Sequence, residues 1–573
     1  MNYFGVYHQD YVQRNGSICD APCVCKGRMM LCAYGSCSEE GLIAMAEGRL
    51  RNRRALASAL GCAPDAEPAR IVLNAYRRWG TDYPRHLEGP VMSCVMDSAA
   101  DRMVLSRDRM GEQPVFCAAK GEKLAFSDHP DTLLKNASAE PLVDADGLRE
   151  LFGIGPARTP GRTFFRDITM LEPGCALILS GSDARTDRYF EITSRPHEDG
   201  ETRTVDVVRG LLEQAVDETL PLNPSVMLSG GLDSTALTAL LAQKRGGLMS
   251  FSVDYQDNER DFRANAFRPE TDAPYVRLAV QAYRTQHRTV VLDAQSLASP
   301  LGRAVSLRGF PGMADIDTSL LLFSRDIARY ARTVVSGECG DEVFGGYPWF
   351  RGEAALGNVF PWSGSMALRE SLIRPELRET LHLTEYVKDT FADRVALAEP
   401  GYPCSPKERR LKIMQKLCFE YFMSNLQERA LRMCGGAGLR VLTPLCDDRL
   451  ATYVYNVPWD MKFMGGQEKG LFRAAVRDLL PEKLLRRTKS PYPKTCSPQY
   501  GQIVRQMALR LTMDREAPIF ALVDRETLDN IARSDLNPAD TPWFGQLMAG
   551  AQLLGYLWQV NRWMRERNVT VSL

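Results

Sequence analysis

Hydrophobic and polar residues are patterned differently in the two parts of this 573-residue chain. Up to about residue 190, short apolar segments such as 89–97 and 103–108 alternate with turn residues, which is typical of strands in an α+β domain. After residue 347, apolar residues recur at helical spacing over 408–432 and 544–567, and these ranges predict helices. The polar stretch 192–202 contains Pro and Gly without an apolar period. We therefore expect domains at 1–190 and 204–573, joined by a linker at 191–203.

A buried strand, a glycine-rich turn and a helix are predicted in succession around residue 230. Apolar residues 226–228 precede Ser229-Gly-Gly-Leu-Asp-Ser234, and an apolar run follows at 235–242. Glycine lets the backbone approach an anion, and the first amides of a helix favour negative charge. The loop lacks the lysine of the GxxxxGK[ST] phosphate loop, so it is a different phosphate-binding device. We expect contacts to ATP and its pyrophosphate from Leu228, Ser229, Gly230, Gly231, Asp233, Ser234 and Thr235.

A second motif, about a hundred residues later, carries three carboxylates in five positions. The apolar pair at 334–335 runs into Ser336-Gly-Glu-Cys-Gly-Asp-Glu342. Carboxylates beside a phosphate loop would repel a nucleotide unless a divalent cation lay between them, and Mg²⁺ prefers carboxylate and phosphate oxygens. The two motifs together predict a Mg²⁺–ATP site. We expect Asp233 and Asp341 to hold the metal, and Ser336 and Gly337 to lie beside the nucleotide.

The composition excludes several classes of partner. The 71 basic and 71 acidic residues cancel, so nothing indicates a nucleic acid or an anionic membrane as a partner. No run approaches the roughly 18 apolar residues of a membrane span. The first ten residues do not have the pattern of a signal peptide. These observations predict a cytoplasmic protein.

Five of the fifteen cysteines lie close together near the start of the chain, namely Cys19, Cys23, Cys25, Cys32 and Cys37. In the absence of a secretory signal, reduced thiols are expected rather than disulfides. The spacings match none of the usual CxxC pairs that bind metal. We therefore expect these residues to be free thiols.

The two motifs resemble those of the synthetase domain of the asparagine synthetase family, with Cys339 standing at a usual glycine. Residues 251–254 resemble the strand that lines the family's adenine pocket, which implies a contact from Val253. His287 falls where the family has a histidine before a strand, and we expect a hydrogen-bonded polar residue near the nucleotide rather than a catalyst. Residues 438–447 and 486–489 resemble further family segments, the first near the acyl pocket and the second carrying an active-site lysine.

The resemblance implies a fold for each domain. Residues 204–573 should form a doubly wound parallel sheet of the adenine nucleotide α hydrolase type with a helical extension, and ATP should lie at the carboxyl ends of the strands. Residues 1–190 should form an Ntn-hydrolase-like antiparallel β-sandwich with helices.

The resemblance also implies a chemistry with ATP and Mg²⁺ as cofactors. A substrate carboxylate would attack the α-phosphorus of ATP, and a nitrogen nucleophile would then attack the acyl-adenylate. Lys489 would stabilise the charge that develops in the transition states. Glu338 would orient the amine or accept its proton.

The first domain resembles the family's glutaminase half at 46–60 and 105–115, but its site residues differ. Such a glutaminase uses a cysteine directly after the initiator methionine as its nucleophile, and here that position is Asn2. The family asparagine that helps to hold the oxyanion falls at Glu47, whose charge would oppose an oxyanion. The substrate-binding glutamate falls at Arg49, and an aspartate falls at Pro68. We expect a structural remnant without glutaminase activity.

The acyl substrate is left open. Leu431, Arg440 and Leu442 stand where the family has aspartate, glutamate and arginine, and leucine cannot replace a guanidinium. One function is a ligase acting on aspartate or a similar small carboxylate, with ammonia or an amine as donor. A second is a natural-product amide cyclase of the lasso-peptide macrolactam or β-lactam synthetase type, which admits a peptide substrate. A third is a nucleotide-binding pseudoenzyme. Oligomeric state is also open, a homodimer included.

Overall fold

The computed structural model describes residues 3–7, 21–121, 123–137, 139–264, 270–351, 357–534 and 542–573. It contains two compact units. The first comprises Met1–Glu150, Arg158–Ile192 and Thr570–Leu573, and the second comprises Leu151–Ala157 and Thr193–Val569. Two short segments therefore belong to a different unit from their neighbours in sequence: Leu151–Ala157 to the second unit and Thr570–Leu573 to the first. Domain boundaries drawn along the sequence do not include these two segments. Residues 191–200 are irregular, and the next helix begins at Glu201.

The first unit contains two six-stranded antiparallel sheets and a short parallel pair. Its strands are β1 Tyr3–Tyr7, β2 Cys23–Lys26, β3 Met29–Ala33, β4 Ser36–Glu39, β5 Leu42–Gly48, β6 Val91–Asp97, β7 Arg102–Ser106, β8 Phe116–Lys120, β9 Lys123–Ser127, β10 Leu142–Val143, β11 Ile168–Met170, β12 Cys175–Ser180 and β13 Asp183–Arg188. One sheet has the order β11-β8-β9-β1-β3-β2 and the other β13-β12-β7-β6-β5-β4. Strand β10 pairs in parallel with β19 (Thr570–Val571).

Apolar side chains from both sheets form the interior of the first unit. Tyr3, Leu31 and Phe126 of one sheet cluster with Met45 and Met92 of the other, all of them buried. A second cluster lies on the outer face of the β5-containing sheet, where helices cover it. The helices of this unit are α1 Arg53–Ala59, α2 Pro68–Trp79, α3 Pro130–Asn136 and α4 Ala145–Arg149. The expected antiparallel sandwich with helices is therefore present.

The expectation of free thiols is wrong for one pair of cysteines. Cys23 and Cys32 form a disulfide and stand directly opposite each other on β2 and β3, with Cα atoms 3.9 Å apart. The pairing follows from strand register, which the spacing of the cysteines along the sequence does not reveal. Cys25 and Cys37 are free, and Cys19 lies outside the described residues.

A five-stranded parallel sheet forms the centre of the second unit. Its strands are β14 Ser225–Met227, β15 Met249–Tyr255, β16 Gln286–Leu292, β17 Thr333–Val335 and β18 Arg440–Leu442. The order β16-β15-β14-β17-β18 places β14 and β17 side by side. The two motifs follow these two strands, so they meet at the carboxyl edge of the sheet, where ligands bind in open α/β folds.

Helices make up most of the rest of the second unit. They are α5 Glu201–Asp217, α6 Leu232–Lys244, α7 Asn258–Asp261, α8 Ala273–Tyr283, α9 Ala294–Ala298, α10 Leu301–Arg308, α11 Asp315–Ile327, α12 Gly340–Phe344, α13 Met366–Leu372, α14 Pro375–Leu381, α15 Leu383–Leu397, α16 Pro406–Leu417, α17 Ser424–Gly435, α18 Asp448–Asn456, α19 Trp459–Lys462, α20 Gly470–Ala475, α21 Glu482–Leu485, α22 Pro498–Met513, α23 Arg525–Arg533 and α24 Gly550–Arg567. None of the helices that the structure describes is long and apolar enough to cross a membrane.

The two helices predicted from spacing form with different boundaries. A π-helical segment, Cys418–Met423, joins α16 to α17, so the predicted helix over 408–432 is continuous but not uniformly α-helical. The helix predicted to begin at Phe544 begins at Gly550. Phe544 instead pairs with Met548 in an isolated antiparallel bridge. Its apolar side chain is buried there without a helix.

Candidate active site

The loop Ser229–Ser234 leads from β14 into α6 at the carboxyl edge of the parallel sheet. Gly230 has a φ of 69°, and a Cβ at this position would lie 2.7 Å from the Cβ of Tyr275. The loop is closed by hydroxyl contacts, with Ser229 Oγ 3.1 Å from Ser234 Oγ. The turn therefore requires glycine, and it opens onto the amino end of a 13-residue helix, which favours a bound anion.

A cavity of about 390 Å³ lies at this edge of the sheet. Many of the residues predicted to act on the nucleotide line it, namely Leu228, Ser229, Gly231, Asp233, Ser234, Val253, Ser336, Gly337, Glu338, Asp341 and Lys489. Gly230 and Thr235 are not part of its lining. Gly230 instead shapes the turn, and Thr235 is buried in α6.

Two lysines contact the aspartates of the two motifs, and one of them, Lys469, contacts both. Lys469 Nζ lies 2.5 Å from Asp233 Oδ2 and 2.6 Å from Asp341 Oδ1. Lys489 Nζ lies 2.5 Å from Asp341 Oδ2. Two ammonium groups thus neutralise two carboxylates that line the cavity.

The electrostatics differ between the two aspartates. Burial raises the pKa of Asp233, although Lys469 acts against this. Burial also acts to raise the pKa of Asp341, but Lys469 and Lys489 outweigh it and lower this pKa to about 2. Burial acts to lower the pKa of Lys469, but Asp233 and Asp341 outweigh it and raise this pKa. Asp341 and Lys469 are therefore charged at neutral pH.

The aspartates also fit a divalent cation. Asp233 Oδ1 is buried and accepts no hydrogen bond from the described residues. A buried anionic oxygen of this kind is a ligand that Mg²⁺ prefers. Asp233 in α6 and Asp341 in α12 follow neighbouring strands, and both contact Lys469 Nζ, so the two carboxylates lie close enough to share one cation.

Glu338 lines the cavity and lies three residues after the end of β17. Its Oε1 lies 3.3 Å from Nη1 of Arg429, a buried residue of α17. Burial raises the pKa of Glu338, while Arg429 and Lys489 oppose the shift. The site therefore contains a carboxylate with a raised affinity for a proton, as a proton acceptor for an amine requires.

The strand side of the cavity includes Val253 and His287. His287 Nδ1 is 2.8 Å from Ser250 Oγ, and Nε2 is 3.0 Å from Ser252 Oγ. Burial lowers the pKa of His287. Both ring nitrogens are thus engaged by hydroxyls, which is the hydrogen-bonded role expected from the sequence.

The three residues that differ from the family near the acyl pocket do not line the cavity, namely Leu431, Arg440 and Leu442. Arg440 is exposed at the start of β18, at the amino edge of the parallel sheet. Leu442 is buried, and its carbonyl accepts a hydrogen bond from Ser336 N at 2.9 Å. Leu431 is half-buried in α17.

The four divergent glutaminase positions belong to the first unit. Glu47 lies near the end of β5 opposite Met92. The next residue, Gly48, has a φ of 108°, and Arg49 N donates to Pro90 O at 2.8 Å. Pro68 is the first residue of α2, a position that proline favours. Asn2 lies outside the described residues.

Several site residues cannot be identified from the sequence alone. Lys469 belongs to no motif recognised there, and Arg429 occurs at an ordinary buried position of a helix. Arg487 was seen only as part of the segment 486–489, whereas its Nη1 donates to Ser229 O at 2.9 Å and its guanidinium pairs with Asp272. Charge alone could not separate these residues from solvated ones.

The asparagine synthase family model matches residues 207–565, which is more than half of the chain. The asparagine synthetase [glutamine-hydrolyzing] 3 of Bacillus subtilis is 36% identical over 512 residues, covering 88% of this chain and 83% of that protein. The chain belongs to the asparagine synthase family.

This asparagine synthase family member also matches the glutamine amidotransferase domain model at residues 50–190. The membership makes it an ATP-dependent ligase that forms a carbon–nitrogen bond and converts ATP to AMP and pyrophosphate. Other relatives of this family member are more distant. The putative asparagine synthetase of Mycobacterium tuberculosis strain H37Rv is 23% identical over 74% of this chain and 69% of that protein. The carboxyethyl-arginine beta-lactam-synthase of Streptomyces clavuligerus is 27% identical over 53% of this chain and 55% of that protein.

Proposed function

We propose that this protein activates a small carboxylic acid, aspartate or a close analogue, as its acyl-adenylate and transfers the acyl group to ammonia or an amine. The observation that carries the proposal is the cavity in which the phosphate loop, Asp233, Asp341, Glu338 and Lys489 meet. The domain pattern behind the proposal is a first domain at 1–190, a linker at 191–203 and a ligase domain at 204–573.

The first half-reaction would use the phosphate loop. The substrate carboxylate oxygen forms a bond to the α-phosphorus, and the bond from this phosphorus to the bridging oxygen of pyrophosphate breaks. Ser229, Gly231 and Ser234 would bind the leaving pyrophosphate, and Lys489 would offset the charge that builds up on the transferring group. Asp233 and Asp341 would hold Mg²⁺, which when bound supplies charge neutralisation at the phosphates.

The second half-reaction would use Glu338. The amine nitrogen forms a bond to the acyl carbon, and AMP leaves with the electron pair of the carbon–oxygen bond. Glu338 would orient the amine and accept the proton that it loses, in keeping with the raised pKa of this carboxyl group. Lys489 would stabilise the tetrahedral oxyanion.

The nitrogen would come from ammonia or an amine rather than from glutamine. A carboxylate at Glu47 opposes an oxyanion, and Arg49 opposes the ammonium of a glutamine substrate. The relative from Bacillus subtilis is named as glutamine-hydrolyzing, so the first unit of this chain would be a structural remnant of that activity.

An amide cyclase is the second candidate, because one relative is a beta-lactam synthase. Such a cyclase takes its amine from the substrate itself, which would also explain a first unit without glutaminase residues.

The test is ATP–pyrophosphate exchange by the purified full chain with Mg²⁺, with and without aspartate. Aspartate-dependent exchange, followed by amide formation on addition of ammonium chloride, would support the proposal. Exchange with a β-amino acid or a peptide but not with aspartate would favour the cyclase. Amide formation with glutamine in the absence of ammonium would contradict the proposed nitrogen source.

A further inference from the structure

A line of four buried charges runs from the interior of the second unit to the cavity. Arg308 Nη1 lies 3.4 Å from Asp317 Oδ2. Asp317 Oδ1 lies 3.4 Å from Arg429 Nε, and Arg429 Nη1 lies 3.3 Å from Glu338 Oε1. The first three side chains are at most 1% exposed, whereas that of Glu338 is 20% exposed. The line therefore ends at the one member that can meet a substrate.

Four groups contact the Arg429 guanidinium. Besides its two carboxylate partners, Nη2 donates to Ile316 O at 3.1 Å. Its Cζ lies 4.6 Å from the centre of the Tyr492 ring. Arg308 and Asp317 belong to α10 and α11, and Arg429 belongs to α17, so three helices fix the position of one guanidinium.

Glu338, in contrast, is held through one oxygen. Oε1 faces Arg429, and no hydrogen bond between described residues engages Oε2. Glu338 lines the cavity, so the second oxygen is the one available to a bound amine. A charge-assisted hydrogen bond to one oxygen restricts the orientation of the carboxylate, and therefore the direction of its other oxygen.

The free energy of desolvating four buried charges indicates that they do more than stabilise the fold. Buried ion pairs commonly contribute less to stability than apolar residues of similar size, because desolvation cancels the attraction. Four such charges in a line are therefore a poor device for holding three helices together. They are suited to holding a reactive carboxylate in one orientation.

We propose that Arg429 is a positioning residue for Glu338: its guanidinium, itself held by Asp317 and Arg308, fixes Oε1 so that Oε2 receives the proton of the attacking amine. This inference rests on the proposed function of Glu338 in the second half-reaction. In that step the nitrogen–carbon bond forms, the carbon–oxygen bond to AMP breaks, and the proton from nitrogen goes to Oε2. Arg429 does not touch the substrate and acts through Glu338.

The first experiment is structural and needs no substrate. Crystal structures of the full-length wild type and of R429M should show the Glu338 carboxylate turned away or in several orientations in the variant, while Ser229–Ser234 keeps its conformation. An unchanged Glu338 in R429M would overturn the proposal. If R429M does not fold because Asp317 and Glu338 each lose an arginine partner, R429Q keeps a polar side chain at this position without the charge and gives the same comparison.

The second experiment separates the half-reactions. With ATP, Mg²⁺, aspartate and ammonium chloride, R429M should retain ATP–pyrophosphate exchange within about threefold of the wild type, since adenylation does not use Glu338. The amide formed per AMP released should fall at least tenfold, because water takes the adenylate. R429K keeps the charge but cannot span Asp317 and Glu338 together, so it should recover only part of the loss.

A double-mutant cycle tests whether Arg429 acts through Glu338. E338Q should show the same loss of amide per AMP, and E338Q/R429M should be no worse than E338Q. Additive losses would overturn the inference.

The matched control is R369M. Arg369 is also a buried arginine of the second unit, but its guanidinium binds the carbonyls of Phe152, Gly153, Gly155 and Trp543. This variant should lose stability without changing the amide per AMP. An equal loss in R369M and R429M would show a merely structural role. If the wild type makes no amide from any acid, the proposed function fails, and the crystal structures still decide whether Arg429 positions Glu338.

Discussion

Lys489 and Lys494 lie five residues apart in one basic segment, yet their ammonium groups have different surroundings. Lys489 Nζ reaches Asp341 at the floor of the cavity, whereas Lys494 Nζ donates to Leu547 O at 3.0 Å. We expect K489M to lower the rate of ATP–pyrophosphate exchange by about 10²–10³-fold, the usual loss when a group that stabilises transition-state charge is removed. K494M should change the rate by less than about threefold. Equal losses would mean that the segment contributes only its net charge.

Asp315 is the residue whose titration should be visible in stability. Burial raises its pKa to about 6, against opposing contributions from Gln552 and Lys494. An unfolded aspartate titrates near 3.9, so between about pH 4 and pH 6 the folded state binds more protons than the unfolded state. The free energy of unfolding should therefore fall as the pH rises through this window. Above pH 6 the loss should reach about 2–3 kcal/mol.

Urea denaturation of D315N between pH 4.5 and pH 8 tests this expectation. D315N should be the more stable protein at pH 8, and the difference should close as the pH falls towards 4.5. Asp293 gives a control of opposite sign, since its bonds to Ser296 lower its pKa and stabilise its ionised form. D293N should therefore lose stability at neutral pH. A wild-type curve parallel to that of D315N would show that Asp315 titrates normally.

The sequence reveals some site residues and not others for a physical reason. Asp233 and Glu338 stand in glycine-rich turns after strands, and such turns have a local sequence pattern. Lys469 and Arg429 lie more than ninety residues along the chain from their partners Asp233 and Glu338. Their neighbours in sequence form no motif that would indicate a place in the site. A lysine or arginine is usually solvated, so its participation becomes visible only when its partners are placed in space.

At the scale of the element, the turn between β14 and α6 depends on Gly230. An alanine there would keep a φ of 69°, which costs an L-residue roughly 1–2 kcal/mol, and its Cβ would meet Tyr275 at 2.7 Å. We expect G230A to weaken binding of a non-hydrolysable ATP analogue at least tenfold, measured by isothermal titration calorimetry. Gly246 is the control, because it follows α6 in the same unit with no atom within 4 Å of an added Cβ. G246A should bind the analogue normally, and equal losses in both would refute the role of the turn.

Elements with a strong periodic pattern could be predicted, and those decided by packing could not. The helices Pro406–Leu417 and Ser424–Gly435 cover most of the range 408–432 that helical spacing predicts. The helix α24 begins later than the sequence predicts because Phe544 lies in a turn. A buried apolar residue at helical spacing gives the same sequence pattern in a turn and in a helix. The charge-rich segment 257–271 contains α7, and residues 265–269 lie outside the described part of the chain.

In the molecule as a whole, the first unit keeps its fold although the residues of the family's glutaminase site differ. Its interior between the sheets is formed by buried apolar side chains such as Leu31, Met45, Met92 and Phe126. The packing of these side chains does not depend on glutaminase activity. Residues that lie near strand ends can therefore change while the sandwich persists. This is why the resemblance predicts the architecture of the unit, whereas its activity has to be argued from individual positions.

The first unit should have no glutaminase activity. We expect the full chain to release no glutamate from glutamine above the buffer rate, and we expect glutamine to be unable to replace ammonium chloride in amide formation. The reason is electrostatic: Glu47 would face the oxyanion and Arg49 the substrate ammonium, and each like-charge contact costs on the order of 1 kcal/mol or more outside bulk water. Glutamate release is measured by chromatography in the presence of ATP, Mg²⁺ and aspartate, with the ammonium reaction of the same preparation as the positive control. Glutamate formed in step with the amide would show that the first unit retains a working site built from other residues. Amide formation with ammonium chloride but not with glutamine would mean that the first unit keeps its fold without glutaminase activity.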